Sequence, residues 1–421
     1  MSPAGRIPAC RNMDKLVVKP LRLEFSQRIG ELLKAFALAP EELSRVETGT
    51  HPMVVAFYNL PEVLLAGLQE LVAQAGGEVV LPGNGIPAGR FVKNVIVIGS
   101  RDVYLRLAAM LKSDPDPDKK RLRQELEALT GFSKPGRWIL AEGRSLELND
   151  TPRLMGVLNL TPDSFYGGSC YSSVEAAVEK AVEMAGQGAD IIDLGGESTR
   201  PGSSPVDSEQ ELRRVIPVVR KISRALPGTL ISVDTYKAQV AREALKAGAH
   251  IVNDISAGLL DENMLPTVAE TGAGYVMMHM RGKPRTMQLD IEYEDLMAEL
   301  FSFFRESLER ADRAGIDRER IALDPGIGFG KPPAGNYEII SRLAELAPLG
   351  RPLLVGPSRK SFLALAGLES PDERLEGTLA ACTVAVLCGA DILRVHDIEP
   401  VRRAVATASF FKSPAGKPTG E

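Results

Sequence analysis

From residue 154 to residue 395 the chain alternates short apolar runs with longer stretches whose apolar residues recur at helical spacing. The short runs predict strands at Leu154–Leu160, Asp190–Leu194, Leu230–Asp234, His250–Ile255, Gly274–Met280, Ile321–Asp324, Pro352–Val355 and Asp391–Val395. The stretches between them predict helices, among them Val174–Gln187, Ser208–Ala225, Ala238–Ala247, Tyr293–Ala314 and Glu373–Leu387. In the first of these, Val174, Ala177, Val178, Ala181, Val182 and Ala185 fall on one face. Runs that are apolar throughout belong to strands buried on both sides, as in a parallel sheet. Eight such strands and their crossovers in roughly 260 residues predict an α/β chain folded as a (β/α)8 TIM barrel. A doubly wound sheet is the alternative, but it lacks the glycine fingerprint of a dinucleotide site.

The preceding stretch follows a different pattern. Residues 1–20 have no periodicity and predict a flexible tail, 21–134 a smaller α/β domain, and 135–421 the barrel. Within the smaller domain we expect helices at Pro40–Val46, Pro61–Ala75, Arg101–Leu111 and Lys119–Leu129. Strands are expected at Met53–Tyr58, Glu78–Leu81 and Phe91–Ile98. Ser113-Asp-Pro-Asp-Pro-Asp118 is a turn-rich break. Trp138–Ala141 and Ser145–Leu148 predict a hairpin leading into the barrel. The smaller domain carries no catalytic constellation, which leaves a second enzyme and a docking module both open. Because all candidate chemistry lies downstream, the barrel is expected to fold and work without it.

Polar residues concentrate where the strands end. They are Asn159 to Asp163, Glu197-Ser-Thr-Arg200, Asp234-Thr235, Asn253-Asp254, His279, Asp324 to Lys331, Ser358-Arg-Lys-Ser361 and Arg394-Val-His-Asp397. One such end could simply cap the next helix. Eight in register, on a fold whose sites lie at that face, predict a ligand site. The glycines of Asp324-Pro-Gly-Ile-Gly-Phe-Gly-Lys331 match no phosphate-loop spacing and suggest close backbone approach to a flat ligand.

Composition narrows the partners. A net charge of −5 gives no electrostatic footprint for nucleic acid or an anionic membrane. No apolar run reaches the roughly 18 residues of a membrane span, and no apolar leader is visible. Four cysteines without a CxxC pair suit a reducing, cytoplasmic setting, with Cys382 and Cys388 as small core residues. Cys10 and Cys170 add no framework, and no His or Cys cluster points to zinc. His51, His250 and His279 are expected to serve structure.

Eight segments together resemble the dihydropteroate synthase family. They are Met155 to Phe165, Gly195 to Gly202, Ser232 to Tyr236, Val252 to Asp254, Met278 to Met280, Asp324 to Lys331, Ser358 to Phe362 and Arg394 to Asp397. The resemblance runs from about residue 138 to 412 with the motifs in order, and the smaller domain is similar to extensions on some bacterial members. Tyr166, where the family often has Ser, departs from the pattern in the loop after Phe165. Such enzymes join 6-hydroxymethyl-7,8-dihydropterin diphosphate to 4-aminobenzoate, giving 7,8-dihydropteroate and pyrophosphate in folate biosynthesis.

The resemblance implies a pterin held by Asp324, Asn253 and Asp234, with Lys360 and Arg394 lining its ring. Asp234, Lys360, Arg394 and His396 are the implied catalytic residues, and Arg394, His396 and Asn159 lie on the diphosphate side. Asn159 is the implied ligand of Mg²⁺, a cation that would be held mainly by substrate phosphates. Thr199, Arg200, Pro201, Asp163 and Phe165 would form the aminobenzoate loops, with Ser361 meeting its carboxylate at the start of the next helix. Pterin diphosphate would bind first, sulfonamides would mimic aminobenzoate, and bond breaking would be SN1-like. A homodimer is expected. A corrinoid-dependent methyltransferase and a non-catalytic pterin-binding protein are the competing readings. The first lacks a cobalamin module here, and the second would have lost some of Asn159, Asp234, Lys360 or Arg394.

Overall fold

The computed structural model describes residues 17–21, 53–60, 62–81, 94–149, 151–160, 174–198, 205–282, 286–287 and 291–412. The expected tail up to residue 16 and the Pro40–Val46 helix lie outside them. The N-terminal domain begins earlier than expected. Val17–Leu21 forms β1, which pairs antiparallel with β2 (Met53–Tyr58) instead of belonging to a tail. Then follow α1 (Glu62–Ala75), β3 (Glu78–Val80), β4 (Val95–Gly99), α2 (Arg101–Met110) and α3 (Pro117–Gly131). The four strands form an antiparallel sheet in the order β1-β2-β4-β3. The turn-rich break serves α3 directly, because Asp116 caps it by accepting from Asp118 N at 2.8 Å and Lys119 N at 3.1 Å.

Strand alternation sorts this sheet into two apolar faces. Val55, Phe57, Val95 and Val97 pack with Leu68 of α1, Leu107 of α2 and Leu126 of α3. Val54, Ala56, Tyr58, Val80 and Ile96 join the buried cluster that runs through the outer barrel helices. The domain is therefore docked on the barrel, not strung from it.

A hairpin, β5 (Arg137–Ile139) and β6 (Ser145–Glu147), closes the barrel floor. Trp138, Leu140, Leu146 and Leu148 pack against Met155, Ile191, Leu230, Ile251, Val276, Ala322, Leu354 and Ile392, one from each barrel strand. The buried Trp138 indole donates to Arg320 O at 2.7 Å. Gly274 is required beneath it, since a Cβ there would stand 2.4 Å from Leu140 Cδ2.

The barrel strands are β7 (Arg153–Asn159), β8 (Ile191–Gly195), β9 (Leu230–Asp234), β10 (Ile251–Asp254), β11 (Gly274–Met278), β12 (Ile321–Asp324), β13 (Leu354–Val355) and β14 (Ile392–Val395). All pairs are parallel, in the order β12-β11-β10-β9-β8-β7-β14-β13. A parallel bridge from Leu323 to Leu353, with Leu323 N donating to Pro352 O at 2.8 Å, closes the ring. Around it lie α4 (Val174–Gly186), α5 (Ser208–Ala225), α6 (Ala238–Lys246), α7 (Met264–Thr271), α8 (Leu296–Arg313), α9 (Pro333–Ser341), α10 (Leu375–Leu387) and α11 (Ile398–Lys412). The helix expected from Tyr293 starts at Leu296, where Asp295 caps it through Ala298 N at 2.9 Å. Cys382 and Cys388 are buried.

Candidate active site

Register builds the mouth of the barrel. Asn159 stands beside Gly195, Gly195 beside Asp234, and Asp234 beside Asn253, so one rung carries four strand ends. Paired residues of parallel strands face the same side of the sheet. On β8, two residues before Gly195, the completely buried Asp193 faces the same side. Its Oδ2 accepts from Arg394 Nε at 2.7 Å and from Asn253 Nδ2 at 3.1 Å. Arg394 Nη2 donates in turn to Asp234 Oδ2 at 2.6 Å. Asp193 and Asp234 thus pin the guanidinium at two points. Asp193 Oδ1 and Asn253 Oδ1 are buried without a hydrogen-bond partner among the described residues. Orphaned buried acceptors suit a ligand that brings donors.

The opposite wall is cationic. Lys360 Nζ donates to Ile327 O and lies 4.6 Å from the centroid of the Phe329 ring. Asp324 Oδ1 accepts from Gly326 N at 2.7 Å, which closes the turn after β12. Gly326 has φ +71°, and a Cβ there would stand 2.0 Å from His279 O. This glycine answers to the neighbouring backbone, a more local reason than approach to a flat ligand. Lys331, at the end of the loop, is buried with Nζ 2.7 Å from His279 Nδ1 and donates to His279 O at 2.8 Å.

Burial and charge then set the protonation states. Burial pushes the Asp234 carboxyl up to about 7; Arg394 pulls it back, while Asp193 and Glu211 push it further. Burial likewise raises Asp324, with Lys360 opposing. Lys360 falls to about 8 through burial, against the pull of Asp324. Burial and then Arg394 lower His396 to about 4, so its imidazole is neutral near pH 7. Ser358 Oγ accepts from His396 N at 3.2 Å and lies 3.0 Å from its Nδ1.

Arg359 is turned to a different task from Lys360. It holds Asp397 through two 2.8 Å contacts and has φ +55°, a left-handed backbone fixed by Thr378 Oγ1 at 3.0 Å from its N. The clamp ties the ends of β13 and β14 together. At the rim of β8, Glu197 and the buried Glu211 share Lys237, and Tyr236 donates to Glu197 Oε1 at 3.0 Å.

A model of the family described as pterin binding enzyme matches residues 155–396, more than half of the chain. The dihydropteroate synthase of Escherichia coli K12 is 47% identical over 267 residues, covering 63% of this chain and 94% of that protein. The chain belongs to the dihydropteroate synthase family. A solved structure, the Xanthomonas albilineans dihydropteroate synthase with 4-aminobenzoic acid, superposes with a TM-score of 0.61 at 42% identity, covering 66% of this chain and 98% of that one. A probable bifunctional folylpolyglutamate synthase/dihydropteroate synthase of Haloferax volcanii is 37% identical over 356 residues. It covers 82% of this chain, which is more than the barrel holds, and 42% of the relative's length.

Among the residues singled out from sequence, Asp234, Asn253, Asp324, Lys360 and Arg394 form one connected cluster. Asn159 and His396 lie half-buried at its edge. Ser361 is exposed and opens a 3-10 turn, Ser361–Ala366, instead of the expected helix; the next α-helix begins only at Leu375. Gly367, with φ +79°, ends this 3-10 segment after six residues. Asp163, Phe165, Thr199, Arg200 and Pro201 lie outside the described residues, as do Tyr166, Cys10, Cys170 and His51. His250 accepts from Ile231 N at 3.1 Å, and His279 is buried beneath Lys331, both in structural positions. Asp193 was missed. Its signal was an acid inside Asp190-Ile-Ile-Asp-Leu194, where a buried strand would otherwise be apolar.

Proposed function

We infer that this chain is a dihydropteroate synthase acting in folate biosynthesis, an alkyl transferase that joins dihydropterin diphosphate to 4-aminobenzoate. One observation carries the inference: Arg394 held between Asp193 and Asp234, beside Asn253 and Asp324, at the barrel mouth. Carboxylate and carboxamide acceptors complement the N–H edge of a pterin, and the guanidinium offers a face for its ring. The C–O bond between the pterin methylene and diphosphate breaks first, and the electron pair leaves with the phosphate oxygen. The cation left on the methylene carbon is shared with the dihydropterin ring and stabilised by the Asp234 carboxylate. The aromatic amine then forms the C–N bond, and its surplus proton passes to water.

Arg394 supplies positive charge toward the leaving group, and the neutral His396 supplies a hydrogen bond. Lys360, which stays protonated below about 8, faces Asp324 across the pterin position. Asn159 fits a hydrated Mg²⁺: its carboxamide oxygen lies 3.6 Å from where a Cβ on Gly195 would stand, so the glycine keeps space open there. Groups of three or more His, Cys, Asp or Glu able to hold a metal do not occur among the described residues, so such a cation would lean on the diphosphate. When bound, it would neutralise charge on the leaving phosphates. Asp163, Phe165, Thr199, Arg200, Pro201 and Ser361 are the proposed aminobenzoate residues, with aminobenzoate binding after the pterin diphosphate.

A homodimer is supported by apolar side chains left exposed on α10 and α11: Val384, Leu387, Phe410 and Phe411. No described helix is long and apolar enough to cross a membrane, in keeping with work in the cytoplasm. The function is tested by incubating the full chain with the two substrates and Mg²⁺. Formation of dihydropteroate and pyrophosphate is expected; a folded chain that binds the pterin diphosphate but forms neither product would refute it.

A further inference from the structure

Tyr58 lies on the barrel-facing side of the N-terminal sheet. The buried Tyr58 hydroxyl donates to Asp295 Oδ2 at 2.7 Å. Asp295 is the cap of α8 and ends the connection from β11, which lies at the mouth like every strand-to-helix connection of such a barrel. Two residues upstream, the Tyr293 hydroxyl donates to Gly330 O at 2.5 Å. Arg281 lies 4.4 Å from the centroid of the Tyr293 ring and 3.5 Å from Glu299 of α8. Glu299 also accepts from Glu294 N at 3.1 Å, so residues 293–295 are held from both sides. Gly330 belongs to the loop that begins at Asp324, and its neighbour Lys331 is anchored on His279. A continuous set of contacts therefore runs from Tyr58 to the loop carrying Asp324.

We propose that the N-terminal domain braces the 324–331 loop of the active site, with Tyr58 acting as a positioning residue through Asp295 and Tyr293. The proposal rests on reading this mouth as the pterin site. Tyr58 fixes the carboxylate that starts α8, the start of α8 fixes the backbone at Tyr293, and Tyr293 fixes Gly330. The domain also touches α8 lower down, where Glu125 of α3 pairs with Arg305. That contact lies nearly three turns below the cap and outside the route to the loop. It separates docking in general from the brace in particular.

The test is hydrogen–deuterium exchange, read peptide by peptide on the full chain, for wild type, Tyr58→Phe, Tyr293→Phe, their double variant and Glu125→Gln. Tyr58→Phe removes one oxygen. It is expected to speed exchange across 293–298 and 326–331 about threefold or more, and to raise KM for the pterin diphosphate by a similar factor, with kcat changed less. Tyr293→Phe should reproduce both effects, and the double variant should add nothing, because the two residues act in series. Glu125→Gln should leave loop exchange at the wild-type rate. Unchanged exchange in Tyr58→Phe, full additivity in the double variant, or equal acceleration in Glu125→Gln would each overturn the brace. If Tyr58→Phe fails to fold, Asp295→Asn takes its place, since the carboxamide keeps an oxygen for Ala298 N and puts a nitrogen that cannot accept where Oδ2 meets Tyr58. Exchange needs no substrate, so a chain without turnover would refute the functional reading and leave this result standing.

Discussion

The two parts of the chain bury different things. In the barrel, Asp193, Asn253, Asp324 and Lys331 are all buried, and two of them keep an oxygen without a partner. In the described part of the N-terminal domain the buried polar residues are Asn94 and Thr130. Both are spent on local structure: Asn94 Oδ1 accepts from Asn59 N at 2.9 Å, and the Thr130 hydroxyl donates to Leu126 O at 2.7 Å. Burying charge is costly unless something is gained from it, so clusters of buried ionisable groups mark chemistry. The barrel's buried charges converge on one mouth. The N-terminal sheet has two apolar faces, and the described residues of its domain hold no such cluster.

The contrast is sharpened most by Asp234→Asn. The variant keeps the shape and loses the charge, so kcat should fall roughly 100-fold or more while pterin binding weakens by less than about 10-fold. Weaker pterin binding with kcat unchanged would mean that Asp234 acts on the ground state alone. Removing residues 1–134 comes next. It would uncover the barrel surface covered by Val54, Ala56, Tyr58, Val80 and Ile96, so the remainder should aggregate or melt well below the full chain. This runs against the autonomy that the placement of the motifs suggests. A shortened chain with full-chain melting temperature and KM would restore that autonomy and break the comparison.

A smaller effect is expected from Asp193→Asn. The new carboxamide oxygen can still accept from Arg394 and Asn253, so the fold should hold, with kcat lower by about tenfold through the lost charge. The pH profile separates this role from simple packing. Asp234 works as a carboxylate and is pushed up to about 7, so the rate should fall as pH drops through that value. Asp193 is one of the charges pushing it up. Its neutralisation should therefore move the acid limb to lower pH, whereas an unmoved limb would make Asp193 a packing residue.

Much of this was legible in the sequence because it depends on local pattern. Ser208–Ala225 and Leu230–Asp234 appear in the fold with the bounds that periodicity assigns. The polar strand ends gave the mouth, since in a barrel they have nowhere else to point. Long-range partners left no such trace. β1 pairs with β2 across some thirty residues, and nothing in Val17–Leu21 announces that pairing. The apolar run Met53–Tyr58 could not say which of its faces met its own helices and which met the barrel. Asp193 was visible as an acid among isoleucines, but its grip on Arg394 spans 201 positions and exists only once the barrel is closed. The turn after Lys360 was misjudged because its apolar residues suit a helix of either kind, and Gly367 stops it after six residues.

The proposed mechanism turns on the mouth stabilising a pterin cation after diphosphate departs. It is tested most directly by the carbon isotope effect at the pterin methylene, measured with the full chain, Mg²⁺ and both substrates. An effect close to unity is expected when the bond to diphosphate breaks before the amine attacks. A large effect typical of concerted displacement would contradict it.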